Sequence, residues 1–398
     1  MVKTENKNIL KQLLLECKGI EEEIIKHRRA LHQMAEVGFE LERTYSYVFS
    51  ALEEIGLTPK RCGKCGIECS IWGDKADKNA KCILLRADMD ALPIKEETSL
   101  EFKSDSKYMH ACGHDMHTAM LLGCAKILYN HRDKLHNNIK LAFQPAEESL
   151  MGAKDMIENG VLENPRVDYA FMLHVLTGEN IDTGTIIMSK SEVSAPYATM
   201  LEIKLEGKGA HGAMPEKGVN PIYPISKIAL AIKELNDSAR DITVTLGQIN
   251  AGETANVVPE IAICKGSLRA MNAERATWAE EQVKSIALRI SKEEKVQGSV
   301  DFYSSCPCLL NDKGLAKNAQ KALCQSLGER RVTLLDSGGG GGSEDFAYIS
   351  HRVPSLMLAI GAGKKDDGYI YPLHNPKAMF DEKALAYGAC AYATLAFM

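Results

Sequence analysis

The stretch Met109–Thr118 (MHACGHDMHT) places one cysteine, three histidines and one aspartate within ten residues, directly before a helical pattern. Cys112 and His114 are its best candidate metal ligands. A thiolate and an imidazole two positions apart can converge on one ion if the backbone turns between them, and Gly113 permits that turn. On its own such a triplet is more often structural in a chain with 12 Cys and 11 His. What raises it is the company found elsewhere. Glu147 and Glu148 stand side by side in Gln144-Pro145-Ala146-Glu147-Glu148, either a solvated acidic pair or a ligand with a neighbouring proton acceptor. His174 and His374 are further imidazoles placed where strands or loops end, and His211 sits in a Gly-rich turn.

These groups need elements to deliver them. The apolar run Lys81–Ala87 (KCILLRA) predicts a buried strand, with Asp88 and Asp90 at its carboxyl end. Ile139–Phe143 predicts a second strand, stopped by Pro145, and Tyr169–Leu173 a third that ends at His174. Open α/β sheets build their sites at the carboxyl ends of such strands. The helical periodicity of 11–54, the helix predicted over Asp115–Arg132, the one over Ser149–Asn159 closed by Gly160, and the last one over Glu382–Phe397 cover that sheet. Gly338–Gly342 lacks the lysine of a phosphate loop and reads as a flexible or close-approach segment.

From Ala195 the pattern changes. Leu201, Ile203 and Leu205 alternate with Glu202, Lys204 and Glu206, and then come a helix over Pro221–Leu235, strands over Ile242–Ile249 and Pro259–Leu268, a helix over Glu274–Glu293 and a strand near Ser299–Tyr303. The order β-α-β-β-α-β is that of a ferredoxin-like domain. The expected organisation is a discontinuous catalytic domain, 1–194 with 307–398, and an inserted domain, 195–306.

The bulk numbers narrow the function. At 398 residues the chain exceeds one typical core. A net charge of −5 argues against nucleic acid as the main partner. No apolar run reaches the roughly eighteen residues of a membrane span, and the N-terminal stretch does not read as an export signal. Twelve cysteines without such a signal suit a reducing compartment, so a cytoplasmic location is expected. Cys62, Cys65 and Cys69 have the spacing of a zinc knuckle or redox pair, but without a second pair the favoured reading is small thiols in a Gly-rich hairpin. The same holds for Cys306 and Cys308.

Taken in order, RADMDALP (Arg86–Pro93), HACGHD (His110–Asp115), QPAEE (Gln144–Glu148), LHV (Leu173–Val175), GKGAHGAMPEKGVNPI (Gly207–Ile222), NVVPE (Asn256–Glu260), GSLR (Gly266–Arg269), GSEDFAY (Gly342–Tyr348) and LHNP (Leu373–Pro376) resemble the M20 metallopeptidases. The likeness is to their amidohydrolase branch of hippurate hydrolases, N-acyl-amino-acid deacylases and auxin-conjugate hydrolases, and it spans nearly the whole chain. The resemblance implies an α/β fold: a zinc-peptidase-like catalytic domain with a mixed, mostly parallel sheet, plus an inserted α+β ferredoxin-like lid that commonly forms homodimers.

It also implies two divalent metal ions, Zn²⁺ or Mn²⁺ with Co²⁺ or Ni²⁺ as alternatives, held by Cys112, His114, Glu148, His174 and His374, with the Cys112 thiolate bridging. Arg86 stands where the wider family has a ligating histidine, so Asp88 is expected to be a supporting carboxylate. Glu147 would deprotonate the metal-bridging water, an effect typically worth ~10²–10⁴ in rate. By the same likeness His211 donates to the oxyanion, often from the partner subunit, while Asn256 and Arg269 hold the substrate carboxylate. Both of the latter fit ordinary strand-edge groups as well.

The implied substrate is an N-acyl-L-amino acid, with no nucleic acid or membrane as partner. The alternatives are an M20 dipeptidase or aminopeptidase, and a metal-binding homologue without catalysis. One departure is the loop Val175–Asn180, where the family usually has a proline-containing turn.

Overall fold

In a computed structural model the described residues are 4–104, 106–336 and 342–398. The reading of Gly338–Gly342 therefore falls, apart from Gly342, outside the described residues. The described residues form two compact units, 4–194 with 310–336 and 344–398, and 195–309 with 342–343.

The strands of the two larger sheets are, in chain order, β1 (Lys60–Cys62), β2 (Gly66–Ile71), β3 (Cys82–Asp88), β4 (Asn138–Gln144), β5 (Tyr169–Leu176), β6 (Ile186–Ser189), β7 (Tyr197–Glu206), β8 (Ile242–Ala251), β9 (Ile261–Ala270), β10 (Gln297–Cys306), β11 (Val332–Leu335) and β12 (Ser355–Gly361). In the first unit they form one eight-stranded sheet, ordered β1-β2-β4-β3-β5-β12-β6-β11. Its centre, β4-β3-β5-β12, is parallel. Every residue of β3 is buried, as a strand covered on both faces must be.

The covering helices include α1 (Thr4–Gly19), α2 (Glu21–Gln33), α3 (Glu42–Ile55) and α4 (His114–Asn130). Ile9, Leu10, Leu13 and Cys17 of α1 are buried, so the N-terminal apolar stretch is a core-facing helix. The helix α4 is buried on nearly all sides.

Two expected boundaries shift, each for a local reason. After Glu148 the chain does not enter a helix at Ser149, because Leu150 adopts φ 57°. A short helix, α5, starts at Gly152 and ends at Glu158. A Cβ on Gly152 would lie 1.6 Å from the Pro145 carbonyl oxygen, so only glycine fits there. Strand β5 does not end at Leu173. It runs to Leu176 because β12 accompanies it to Gly361, and His174 therefore lies inside the sheet, paired with Ala359.

The second unit is an antiparallel sheet ordered β8-β9-β7-β10. Two helices, α6 (Ile222–Ser238) and α7 (Ala273–Glu293), complete the β-α-β-β-α-β order. Leu201, Ile203 and Leu205 share one apolar cluster with Ile225, Ile228 and Ile232 of α6 and Val283 of α7, which is what the period-two pattern requires. Among the described residues no helix is long and apolar enough to cross a membrane.

Candidate metal centre

The parallel register aligns the ends of β3 and β4, Asp88 beside Gln144, so the loops that leave them run next to each other. The first carries Asp90 and the second Glu147 and Glu148. Gly113, at φ 84°, turns the chain into α4 and makes His114 its first residue. A Cβ on Gly113 would approach Val175 Cγ2 to 2.4 Å, so this turn too is closed to other residues. Asp115 anchors the same turn: Arg28 Nε and His32 Nδ1 of α2 both lie 2.8 Å from its Oδ2.

Within the first unit the structure gathers Cys112, His114, Glu147, Glu148, His174 and His374, whose positions span more than 260 residues of sequence. Cys112 Sγ lies 3.5 Å from His174 Nε2 and 3.3 Å from His374 Nε2. Glu148 Oε1 is 3.4 Å from His374 Nε2, and His114 Nε2 is 3.9 Å from both Glu147 and Glu148. Two sets of potential ligands share the thiol: Cys112 with His114 and His174, and Cys112 with Glu148 and His374. His374 is tied to this loop by its backbone N–H, which donates to Ala111 O at 2.9 Å.

The donor set fits two cations. His114 Nδ1–H donates to the Asp90 carbonyl at 2.9 Å and His174 Nδ1–H to the Val175 carbonyl at 2.7 Å, which turns both Nε2 atoms toward the thiol. His114 Nε2 and Glu148 Oε1 are buried without a hydrogen-bond partner, an expensive state for polar atoms unless an ion completes them. The electrostatics agree. Burial pushes the Cys112 thiol up, yet His114 and His174 draw it down to about 6. Burial opposes charge on His174 as well, and Cys112 still lifts it to about 9. Thiolate and imidazole thus favour one another's charged forms.

Glu147 is buried, and burial together with Glu344, Glu148 and Asp345 pushes its carboxyl well above the usual range. Such a group holds a proton more readily than an exposed carboxylate does.

Beside it lies a second buried network. Arg86 donates through Nε to Gln144 (2.8 Å), through Nη1 to Asp88 (2.8 Å), and through Nη2 to Glu344 (2.8 Å) and Asp345 (3.0 Å). Asp88 also accepts from His117 Nδ1, whose Nε2 accepts from the Val175 N–H at 2.8 Å. Both nitrogens of His117 are engaged, so it is a brace for the β5 backbone. The sequence places Asp90 at a strand's carboxyl end and Glu344 and Asp345 in the GSEDFAY motif without giving any of them a specific role, and it does not single out His117. A further signal for Glu344 and Asp345 is Arg86, an arginine in an otherwise apolar run, which must find buried carboxylates somewhere.

In the second unit His211 lies on a two-residue ladder, paired with Val257, rather than in a turn as the glycines suggest. The adjoining Gly212 N–H donates to Asn256 O at 2.8 Å, so His211 and Asn256 are neighbours. The Ala213 N–H donates to His211 Nδ1 at 3.1 Å, leaving the proton on the exposed Nε2. Arg269, on β9, donates to Ser343 at 2.7 Å. Cys62, Cys65 and Cys69 occupy the β1–β2 hairpin and its turn, and among the described residues they belong to no group of three potential ligands.

A model of Peptidase family M20/M25/M40 matches residues 84–397. The hippurate hydrolase of Campylobacter jejuni is 33% identical over 393 residues, covering 96% of this chain and 98% of that protein. The N-acetyl-L-cysteine deacetylase of Bacillus subtilis is 32% identical over 372 residues, 92% and 85% of the two chains. Among solved structures, a putative aminohydrolase from methicillin-resistant Staphylococcus aureus superposes with a TM-score of 0.86 at 30% identity, over 97% of this chain and 98% of that one. A Bacillus subtilis protein described as a dinuclear metal binding peptidase of the M20 family gives 0.79 at 28%, over 96% and 98%.

Proposed function

The chain belongs to peptidase family M20 and is a hydrolase of amide bonds, and on that premise we propose that it cleaves N-acyl-L-amino acids to a carboxylate and a free amino acid. The observation that carries this reading is the pair of ligand sets sharing Cys112, with the buried Glu147 beside them. Cys112, His114 and His174 would hold one divalent ion and Cys112, Glu148 and His374 another, zinc or manganese, with cobalt or nickel able to substitute. Two such ions supply Lewis acidity for the amide carbonyl and acidify water. Glu147 takes a proton from the attacking water as its oxygen adds to the carbonyl carbon. It then returns that proton to the nitrogen as the C–N bond breaks.

His211, through its Nε2–H, is the donor for the developing oxyanion, and Asn256 with the Arg269 fork receives the amino acid's carboxylate. A homodimer formed through the second unit and a cytoplasmic location complete the proposal. All twelve cysteines are free thiols, as a reducing compartment would keep them.

The test is hydrolysis of a panel of N-acetyl and N-benzoyl amino acids by metal-loaded protein, alongside Glu147→Gln. Turnover of the panel by the parent protein and not by the variant is the expected result. Equal turnover by both would remove Glu147 from the mechanism, and a preference for dipeptides with a free amino group would favour a dipeptidase or aminopeptidase.

A further inference from the structure

Asp90 is a wholly buried carboxylate, two residues beyond β3, that belongs to neither ligand set. Its Oδ1 accepts from the Glu147 N–H at 3.0 Å and its Oδ2 from the Glu148 N–H at 3.2 Å. Its backbone oxygen accepts from His114 Nδ1 at 2.9 Å. One residue thus holds the backbone of both glutamates and the ring of the imidazole that faces them.

The loop so held needs holding. Ala146 sits at φ 55° and Leu150 at φ 57°, left-handed conformations that non-glycine residues keep only when their surroundings impose them. The Asp90 segment is rigid enough to impose them. Met89 N–H donates to Gln144 O at 2.8 Å on one side, and Ala91 N–H donates to Glu36 O at 2.7 Å on the other.

We propose that Asp90 is the positioning residue of the metal centre, its side chain setting Glu147 and Glu148 and its carbonyl setting His114. This rests on the two-metal amidohydrolase reading above. The division of labour within the residue has a consequence. The Asp90 carbonyl is the shorter tie to His114 Nδ1, 2.9 Å against 3.5 Å to Oδ1, so a side-chain substitution should disturb the Cys112–His114–His174 position less than the Cys112–Glu148–His374 position. An ordinary structural role would loosen both.

The experiment uses the full chain stripped of metal and titrated with Co²⁺, read by calorimetry and by the visible absorption of the cobalt thiolate, for the parent protein, Asp90→Asn and Asp90→Glu. In Asp90→Asn an amide N–H₂ must face one of the two backbone N–H groups. One Co²⁺ equivalent is expected to stay within about threefold of the parent's affinity and the other to weaken by roughly 10–100-fold, the usual cost of a lost outer-shell contact. At saturating cobalt, kcat for N-acetyl-L-methionine should fall in Asp90→Asn while KM stays nearly constant. Asp90→Glu, which keeps the charge but lengthens the arm, should share the defect.

Both equivalents unchanged, both weakened alike, full recovery in Asp90→Glu, or loss of the cooperative thermal transition in Asp90→Asn would each overturn the proposal. A parent protein that binds two Co²⁺ but hydrolyses no N-acyl amino acid would overturn the substrate reading instead. The split in cobalt affinity would then still decide the role of Asp90.

Discussion

Two buried polar clusters flank Glu147, and they differ in what completes them. Around Arg86, Asp88, Glu344, Asp345 and Gln144 are matched by a guanidinium that the chain itself supplies. Around Cys112, the imidazoles and Glu148 converge with His114 Nε2 and Glu148 Oε1 left open. Both clusters are rich in anionic groups, so acidity alone does not mark a metal position. A buried arginine closes one set as a permanent counter-ion, and an unfilled set of soft and nitrogen donors is what leaves room for exchangeable cations.

The comparison can be broken most sharply at the residue the clusters share. Glu147→Gln should lower kcat by ~10²–10⁴ while metal content stays at the parent's level, because Glu147 lies in neither Cys112 set. Steady-state kinetics with metal analysis on the same sample checks it, and loss of metal would move Glu147 into the ligand shell.

Arg86→Met should act on the fold rather than on metal. Removing the counter-ion leaves buried carboxylates uncompensated and should cost about 3–5 kcal/mol in denaturant unfolding. The loss should vary with pH. Burial, opposed by Arg86 and reinforced by Glu344, already pushes Asp345 up to about 8 in the parent protein. The folded state therefore binds a proton that the unfolded chain, titrating near 4, releases. That contribution to stability is fully present below about pH 4 and declines as pH rises towards 8. In Arg86→Met the retained proton affinity is higher still, so the decline should extend to higher pH.

Cys112→Ser should do the opposite. It removes the donor common to both sets, so metal content should fall towards zero while the metal-free protein unfolds nearly as the metal-free parent does. The parent alone should gain stability from added metal, about 2.7 kcal/mol when the free ion stands at a hundred times its Kd. The smallest effect is expected in the hairpin. Burial pushes Cys62 up to about 12 and Cys69 up to about 11, so both stay protonated and resist alkylation at pH 8. Replacing them with serine should leave the metal stoichiometry unchanged, and a lost equivalent would show that the hairpin is a third metal position.

Much of this was legible in the chain. The apolar run of β3, the helical stripe of α6 and the alternation of β7 each bury the face their period dictates. The residues Cys112, His114, Glu148, His174 and His374 stand out by type and by the motifs they sit in. Strands β6 and β11 were not legible, since four-residue segments carry too little periodicity. Nor was the extent of β5, because its last residues are strand only where β12 lies beside them. The Arg86 partnership with Glu344 and Asp345 joins positions 258 and 259 residues apart, and no local pattern records such a pair.

Sequence by itself determined which donors exist and which elements carry them, because hydrophobic period and residue chemistry are local properties. Tertiary structure alone decided which donors remain open. His117 and His114 lie three residues apart on one helix, yet the Asp88 carboxylate and the Val175 amide occupy both nitrogens of the first, while the second keeps Nε2 unpartnered toward Cys112. Saturation of a polar atom depends on what distant segments bring to it, and that is fixed only when the sheet is assembled.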